Sequence, residues 1–532
     1  MCNLSSRASA LALARHEVDP LQPARLGAGR AAATLAAGAT LTTVRATTPP
    51  NLLDRRMVIP LAPVVTYGAV AFLALLWFLV APVPFLSEDW TQMEQLSRVE
   101  TLFAALDPAR EPLRPLQHAF LWTLANSGFD LAGWLPAAAR AVAFLLHGLA
   151  FWAVWQLARR ADARLTAPIV ALAFFAVYPN VKMLAWPAAI GSPGRTAFEL
   201  VALLFLVRRH QDGRARDGWL GLAALAVALG FHETALLLPA ILLAWIACVG
   251  TENIASGVRR AFAALRDPFV LAACAMGAAH LVHLLFFRPG RVHGAKDLSA
   301  IPANVVKAAF ALAPEFVRDL GVEGFRGHGG AIGLVAASVA IAAVGVVAVV
   351  LLRRGGLARF AVLAIALDLG LAVAGAGFVQ RYACLASAFL ALALADWSRA
   401  AKPALRTGLI VLALLWAADS LRDALEIRAA GRGALALAAE VQHLGGARAI
   451  AVVGVPDMIG AEEDVPYFNW GGTFFLRAHG VTAPVQLLRE RAFRTNSDQG
   501  LVDRAHLDAL RAAGVDVRRW AGFEVPLATY PP

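Results

Sequence analysis

Charged residues are scarce in this chain of 532 residues. Lys, Arg, Asp and Glu make up only 16% of it, whereas apolar residues make up 59%. Soluble globular domains carry about a quarter charged residues, so the composition excludes an ordinary soluble enzyme and predicts a polytopic membrane protein. The net charge of +11 is first a topology signal, because Lys and Arg collect in cytoplasmic loops. No nucleic-acid-binding face is indicated.

Cysteine is also rare, and the common site motifs are missing. Cys2, Cys248, Cys274 and Cys384 include no CxxC pair, and the last three lie in or beside apolar runs. Neither a disulfide framework nor a zinc site is therefore implied. No HExxH, GxSxG or Walker motif stands in a suitable context, so a nucleotide-driven enzyme and a serine hydrolase have no support.

The first 56 residues contain no apolar core long enough for a signal peptide. They are rich in Ala, Thr and Arg and contain few acids. We expect residues 1–56 to be disordered, or to be an over-extended start with Met57 as the true first residue.

Apolar runs fill most of residues 57–420, which we expect to form a transmembrane domain. A bilayer core requires about 20 apolar residues per helix, and this part of the chain offers about eleven candidates. They lie near 58–82, 137–157, 165–183, 196–207, 218–231, 234–250, 268–287, 331–352, 358–377, 383–397 and 407–420.

Basic residues orient these candidate spans. If the N-terminus is cytoplasmic, five short inner loops hold 16 basic residues, as the positive-inside rule requires. The longer loops 83–136 and 288–330 and the segment 421–532 then lie outside the cytoplasm. We therefore expect a multi-pass protein of the cytoplasmic (inner) membrane with an extracytoplasmic C-terminus. The 16 residues are Arg159, Arg160, Arg164, Arg208, Arg209, Arg214, Arg216, Arg259, Arg260, Arg266, Arg353, Arg354, Arg359, Arg399, Lys402 and Arg406.

The outer segments have secondary structure of their own. Residues 91–106 and 113–125 space their apolar residues as helices that lie on a membrane surface do. The segment 421–532 is predicted to be a small α/β module. Its predicted elements are helix 433–445, strand 449–455, helix 502–513 and strand 515–517.

Glu88 and Asp89 lead the candidate site residues, because they follow the first apolar run directly, within Phe85–Trp90. A carboxylate beside a low-dielectric boundary suits a general base, since partial desolvation raises its pKa toward working pH. Adjacent side chains diverge, so one of the two acids is expected to face a cavity. We prefer Asp89, because Trp90 can anchor the segment at the membrane interface. The alternative is a solvated or helix-capping acid.

Further polar residues interrupt apolar runs at the same predicted face. They are Arg114, the pair His232 and Glu233, and the pair Arg381 and Tyr382. Arginine binds phosphate oxygens in pairs, so Arg381 suits a phosphate at the interface. Glu233 suits a cation or a sugar hydroxyl. Interfacial snorkelling and helix capping are the respective alternatives.

Three more ionisable residues lie in apolar runs or in their outer turns. Arg140 and His147 are seven residues apart and share one helical face, and such groups usually face the interior of a bundle. Arg140, near the outer end, is a candidate phosphate ligand, whereas His147 suits a packing or hydrogen-bonding role. Arg195 is a weaker substrate-binding candidate, because its glycine-containing turn lacks the other features of a nucleotide loop.

The order of six short segments resembles the GT-C superfamily of integral-membrane glycosyltransferases, most closely the transmembrane O-mannosyltransferase branch. The segments lie between about residues 58 and 400. They are SEDW, RPLQHAFLW, ARAVAFLLHGLAFW, FFAVYPNVKMLAW, GFHETALLLP and QRYACLASAFL. The chain departs from that branch in its α/β module, which replaces TPR repeats, and at Ala383-Cys384, where a more aromatic sequence is expected.

This resemblance implies a polyprenyl-phosphate sugar donor, an active site at the outer membrane face and a catalytic acid in the first outer loop. By position, the acid falls on Glu88 or Asp89, and the phosphate-binding arginine on Arg381, with Arg114 next. The acceptor would be an extracytoplasmic glycan, lipid or protein. Members of the superfamily differ in metal use, so no cofactor is firmly implied and a divalent cation stays open.

Two other classes of function stay open beside a glycosyltransferase. A transporter or lipid-glycan flippase requires broken helices and charged residues near the membrane midplane. Here polar residues gather at one predicted surface, with His147 as the strong mid-span candidate, so we prefer the enzyme. A non-catalytic membrane assembly protein would use the α/β module to bind a partner.

Overall fold

Helices account for most of the residues that the computed structural model describes. The described residues are 61–86, 88–106, 114–128, 130, 132–162, 181–251, 253–287, 301–314, 317–318, 330–375, 383–399, 403–444, 449–455, 458–459, 465–466, 472–489, 500–501, 503–520 and 528–529. All of them belong to one compact unit, Ile59–Pro532. The expectation for residues 1–56 falls outside them.

The helices follow the apolar runs, since a helix pairs its backbone donors and acceptors within one segment. The first are α1 (Leu61–Val80), α2 (Glu88–Ser97), α3 (Leu102–Ala105), α4 (Pro115–Asn126), α5 (Leu135–Ala161) and α6 (Val181–Ala185). A 3-10 turn (Pro187–Ala189), α7 (Gly191–Asp212), α8 (Ala215–Phe231), a second 3-10 turn (Glu233–Leu237) and α9 (Leu238–Cys248) follow. The later helices are α10 (Ile254–Ala264), α11 (Pro268–Phe287), α12 (Ile301–Phe310), α13 (Gly330–Arg354), α14 (Gly356–Gly375), α15 (Cys384–Arg399) and α16 (Pro403–Leu444).

Each predicted apolar run falls on one or more of these helices, except 165–183, most of which lies outside the described residues. Within the described part of the chain, three helical segments are long and apolar enough to span a membrane. They are Leu135–Ala161, Pro187–Asp212 and Pro268–Phe286. The predicted surface helix 91–106 is divided between α2 and α3, and the one at 113–125 is α4.

The core of the bundle lies among α5, α7, α8, α9, α14 and α15. Alanine and leucine dominate it, with Trp245, Phe360, Phe389 and Trp416 as its large members. By contrast, α13 exposes apolar side chains such as Val335, Val339 and Val346. A large apolar surface of this kind is suited to a lipid bilayer.

The last helix, α16, continues through residue 421, where the α/β module was expected to begin. Its 42 residues extend over roughly 63 Å, about twice the thickness of a bilayer core. Ile410, Val411 and Leu414 are exposed in its first part, whereas Ile427 and Val441 are buried in its second part. One helix therefore joins the bundle to the C-terminal module.

The C-terminal module is built on a sheet of five strands in the order β5-β4-β1-β6-β7. Its elements are β1 (Ile450–Val453), β2 (Met458–Ile459), β3 (Val465–Pro466), α17 (Gly472–Ala478), β4 (Val485–Arg489), β5 (Gly500–Leu501), α18 (Arg504–Ala512), β6 (Asp516–Arg519) and β7 (Ala528–Thr529). Strands β5, β4, β1 and β6 are parallel, β7 is antiparallel, and β2 and β3 form a separate pair. The predicted strands 449–455 and 515–517 and the helix 502–513 are confirmed.

The central strand β1 is buried on both faces, as is usual in a parallel sheet. Ala451 and Val453 pack with Leu507 of α18. Ile450 and Val452 belong instead to a core that also contains residues of α1, α2, α4, α5 and α16. The module and the segments that follow α1 therefore share one hydrophobic core.

Trp90 is the aromatic centre of this shared core. Its side chain is 0% exposed, and its Nε1 donates a hydrogen bond to the carbonyl of Phe85 over 2.7 Å. Its ring centroid lies 5.5 Å from that of Phe474 and 5.9 Å from that of Phe475, both on α17. Trp90 thus attaches α2 to the module, and it does not have the lipid-interface position that we expected from the sequence.

Candidate functional site

Asp89 joins two separate segments at one end of the bundle. Its Oδ2 accepts a hydrogen bond from the amide of Leu86 over 3.1 Å, which closes the first turn of α2. Its Oδ1 accepts from the amide of Ala188 over 2.6 Å, in the 3-10 turn before α7. The side chain is 1% exposed. Asp89 therefore holds the first outer segment against the start of α7.

Gln117 binds the same 3-10 turn from the opposite side. Its Nε2 donates to the carbonyl of Ala188 over 2.7 Å, so the two backbone groups of Ala188 are held by two different segments. Gly191 makes this approach feasible, because a Cβ there would lie 2.3 Å from Oε1 of Gln117. A larger residue at 191 would displace the Gln117 side chain and would also crowd the Phe231 carbonyl, 2.9 Å from such a Cβ.

Arg140 is fully buried in the first turns of α5 and binds backbone carbonyls. Its Nε donates to Ala185 over 2.7 Å, its Nη2 to Pro84 over 2.8 Å and its Nη1 to Val83. The Asp89 carboxylate stabilises its charge. The guanidinium thus replaces the water that these carbonyls would otherwise bind, and it fixes the connection after α1 to α6.

Arg114 and Glu233 form a bidentate ion pair across 119 residues of sequence. Nε and Nη2 of Arg114 each lie 2.8 Å from an oxygen of Glu233. The side chains are 26% and 22% exposed. His232 completes the group, because its Nδ1 lies 3.4 Å from Oε2 of Glu233 and 2.9 Å from Oγ1 of Thr234. Three residues that the sequence placed at one face are therefore in contact.

The pKa of Glu233 lies well below its usual range. Burial opposes ionisation, but the charges of His232 and Arg114 and the hydrogen bonds from Arg114 outweigh it. Glu233 is therefore an anion at neutral pH. His280 of α11 lies within electrostatic range of Glu233 and of His283, so α11 adds two imidazoles to this end of the bundle.

Arg195, one turn inside α7, shares no hydrogen bond or ion pair with this group within the described residues. It pairs with Glu199 and Asp368, and all three side chains are buried. His147 is also buried, with 4% of its surface exposed. Arg381 and Tyr382 lie outside the described residues, and so does the side chain of Glu88. Within the described residues, no group of three or more His, Cys, Asp or Glu is arranged to hold a metal ion.

Several residues that form the polar contacts of the bundle were not predicted from the sequence. Gln117, Glu199, Asp368 and His280 were not selected, although each is a polar or ionisable residue within or beside an apolar helix. The rarity of such residues in apolar segments is a signal that marks Glu199, Asp368 and His280. Gln117 carries no comparable signal, since its role depends on a contact with a backbone 71 residues away.

No family model, curated protein or solved structure gives a significant match to this chain.

Proposed function

We propose that the protein is a membrane glycosyltransferase that moves a sugar from a polyprenyl-phosphate carrier to an extracytoplasmic glycan, lipid or protein. The bundle of about eleven spans would lie in the inner membrane, with the C-terminal module outside the cytoplasm. The observation that carries the proposal is the contact of Arg114, His232 and Glu233 at the start of α4, the helix whose Gln117 binds the same residue, Ala188, as Asp89 does. Partly exposed ionic groups at one end of an apolar bundle suit a lipid-linked phosphate substrate.

The contacts of Asp89 favour a positioning role for it. It is buried, and its two oxygens already accept hydrogen bonds from the Leu86 and Ala188 amides. Glu88 is the other acid that the sequence places at this point of the chain. We therefore assign Glu88 as the general base that deprotonates the acceptor hydroxyl, and Asp89 as the residue that holds the helix start.

The cationic groups would bind the carrier phosphate and stabilise it as it leaves. Arg114 is suited to this because about a quarter of its side chain is exposed while Glu233 fixes its orientation. Arg381 and Tyr382 stay proposed ligands of the same phosphate. Arg140 binds three carbonyls in the interior, so we assign it to the scaffold of the site.

Sugar transfer in membranes supplied with a lipid-linked donor tests this proposal. Glu88→Gln is expected to lower the rate roughly 100-fold or more, the usual contribution of general base catalysis. Glu94→Gln is the matched control, because Glu94 lies on the same helix and pairs at the surface with Arg98. Equal rates for Glu88→Gln and Glu94→Gln would overturn the assignment of the base.

The buried charges of Arg195, Glu199 and Asp368 favour a second candidate, a transporter or lipid-glycan flippase. Ionisable groups inside apolar spans often mark the path of a substrate or a proton. Proteoliposomes distinguish the two functions. A flippase moves a labelled lipid-linked sugar between leaflets without cleaving it, whereas a glycosyltransferase releases the carrier phosphate only when acceptor is present.

A further inference from the structure

A buried cluster of one arginine and two carboxylates lies inside the bundle, separate from Arg114 and Glu233. Arg195 and Glu199 belong to α7 and Asp368 to α14, with exposed fractions of 5%, 1% and 3%. Nε of Arg195 donates to Oε2 of Glu199 over 2.8 Å, and Nη2 donates to Oδ1 of Asp368. One guanidinium therefore serves two acids from two helices.

Arg114 differs from Arg195 in this respect, because its guanidinium binds a single carboxylate. There, Nε and Nη2 engage the two oxygens of Glu233, which is the usual fork arrangement. At Arg195, Nε binds Glu199 and Nη2 binds Asp368, so the two nitrogens serve two carboxylates. Two acids are thus held close together, and one positive charge faces two groups that are each able to carry a negative charge.

Each of the two acids also has an oxygen without a donor. Oε1 of Glu199 and Oδ2 of Asp368 are buried, and neither accepts a hydrogen bond from the residues that the structure describes. A buried anionic oxygen without a donor is unfavourable. A proton on one carboxyl relieves this, because it removes a negative charge and converts an acceptor oxygen into a donor.

Neighbouring elements add few groups that would neutralise the cluster. At the start of α15, the Ala386 amide donates a hydrogen bond to the Asp368 carboxylate, and Cys384 is in electrostatic contact with Arg195 and Asp368. Other elements that pack against α7 or α14 also carry ionisable groups, namely Arg140, His147, Arg159 and Arg160 on α5, Lys182 on α6, Arg216 and Asp217 on α8, Glu233 in the second 3-10 turn, Lys307 on α12, Arg353 and Arg354 on α13, and Asp396 on α15. Within the described residues, however, Arg195 is the one cation that acts on Glu199 and Asp368. With both acids ionised, the Arg195 cluster itself would have an uncompensated negative charge in an apolar bundle.

We propose that Glu199 and Asp368 together bind one proton, which makes the Arg195 cluster a proton-binding site inside the bundle. Bound in this way, the proton brings the net charge of the three groups to zero. Two acids held close together share a proton, since like charges at short distance disfavour double ionisation. The site is independent of whether the protein transfers sugars.

Infrared difference spectroscopy of the purified full-length protein in lipid nanodiscs at neutral pH tests the proton directly. The wild type is expected to show the carbonyl stretch of a protonated carboxyl that is absent from Glu199→Gln and from Asp368→Asn, where the remaining acid is ionised by Arg195. Asp212→Asn removes a partly exposed acid paired with Arg160 and should keep the band. A wild-type spectrum without this band would overturn the proposal.

Thermal unfolding of the same samples provides a second test. Each single variant is expected to melt within a few degrees of the wild type, whereas the double variant E199Q/D368N, which leaves Arg195 uncompensated, should melt far lower. A single variant as unstable as the double would show that both acids are needed as anions. A melting temperature that rises with sodium in the wild type but not in Glu199→Gln would show that a metal cation occupies the site, and would likewise contradict a proton.

Discussion

The two ends of helices α5 and α7 contain the same types of ionic residue in opposite environments. At the beginning of α5, Arg140 is fully buried and donates to backbone carbonyls of two other segments. At the end of α5, Arg160 is 33% exposed and pairs with Asp212 at the end of α7. Arg209 pairs with Asp267 in the same way, at 3.3 Å.

The difference lies in what each charge holds together. An exposed ion pair contributes little to stability, because water solvates both partners when it breaks. A buried guanidinium on carbonyls is different, since its loss leaves several polar groups without water or a partner. The arginines near Asp212 are therefore expected to act mainly through their charge at a membrane surface, whereas Arg140 and Asp89 determine the architecture of the candidate site.

Separate substitutions of Arg140 and Arg160 should give the largest contrast in the free energy of unfolding. Arg140→Met leaves the carbonyls of Val83, Pro84 and Ala185 unpaired and removes the cation near Asp89, which should lower the free energy of unfolding by roughly 3–5 kcal/mol. Arg160→Gln should lower it by less than about 1 kcal/mol. Chemical unfolding in detergent micelles measures both, and similar losses would contradict the contrast.

Removal of the Asp89 charge should have an intermediate effect. Asp89→Asn retains one carbonyl oxygen but loses a charged acceptor for the Leu86 or Ala188 amide, so we expect a loss of about 1.5–3 kcal/mol. Glu94→Gln, on the exposed side of the same helix, should change stability by less than about 0.5 kcal/mol. An Asp89→Asn protein as stable as the wild type would mean that these two hydrogen bonds do not hold the segments together.

Of the three groups that join segments at the candidate site, the partly exposed pair of Arg114 and Glu233 should contribute least to stability, and its contribution should depend on pH. The pKa of Glu233 is lower in the folded protein than in the unfolded chain, so its stabilising contribution is present above the unfolded value of about 4.3 and is lost as pH falls below it. Glu233→Gln should cost about 1 kcal/mol or less at pH 7. The difference in melting temperature from the wild type should shrink on acidification, and a difference independent of pH would exclude this ionic contribution.

Several elements of this architecture could be read from the sequence. The apolar runs predict where helices lie, because only the length of an apolar segment is needed for that inference. Buried β1 and amphipathic α18 are similarly predictable from local pattern. The boundary that we expected at residue 421 is not a break in the structure, since apolar residues change to mixed ones there without a residue that ends α16.

The contacts of the site lie beyond such local patterns. His232 and Glu233 are neighbours in sequence, but the partner of Glu233 is Arg114, and only the packing of α4 on α8 brings them together. For Asp89, the sequence shows an acid at the end of an apolar run, which suits a base and a scaffold residue equally. The hydrogen bond from the Ala188 amide, 99 residues away, is what favours the scaffold role of Asp89. No spacing in the sequence indicates this contact.

The assignment of Glu88 as base and Asp89 as scaffold is tested most directly by measuring transfer rate and melting temperature together for two variants. Glu88→Gln is expected to lose transfer while its melting temperature stays within about 2 °C of the wild type, the shift that well under 1 kcal/mol produces in a large protein. Asp89→Asn is expected to lose stability and transfer together. A fully stable Asp89→Asn protein without transfer, beside an active Glu88→Gln protein, would contradict the account and make Asp89 the base.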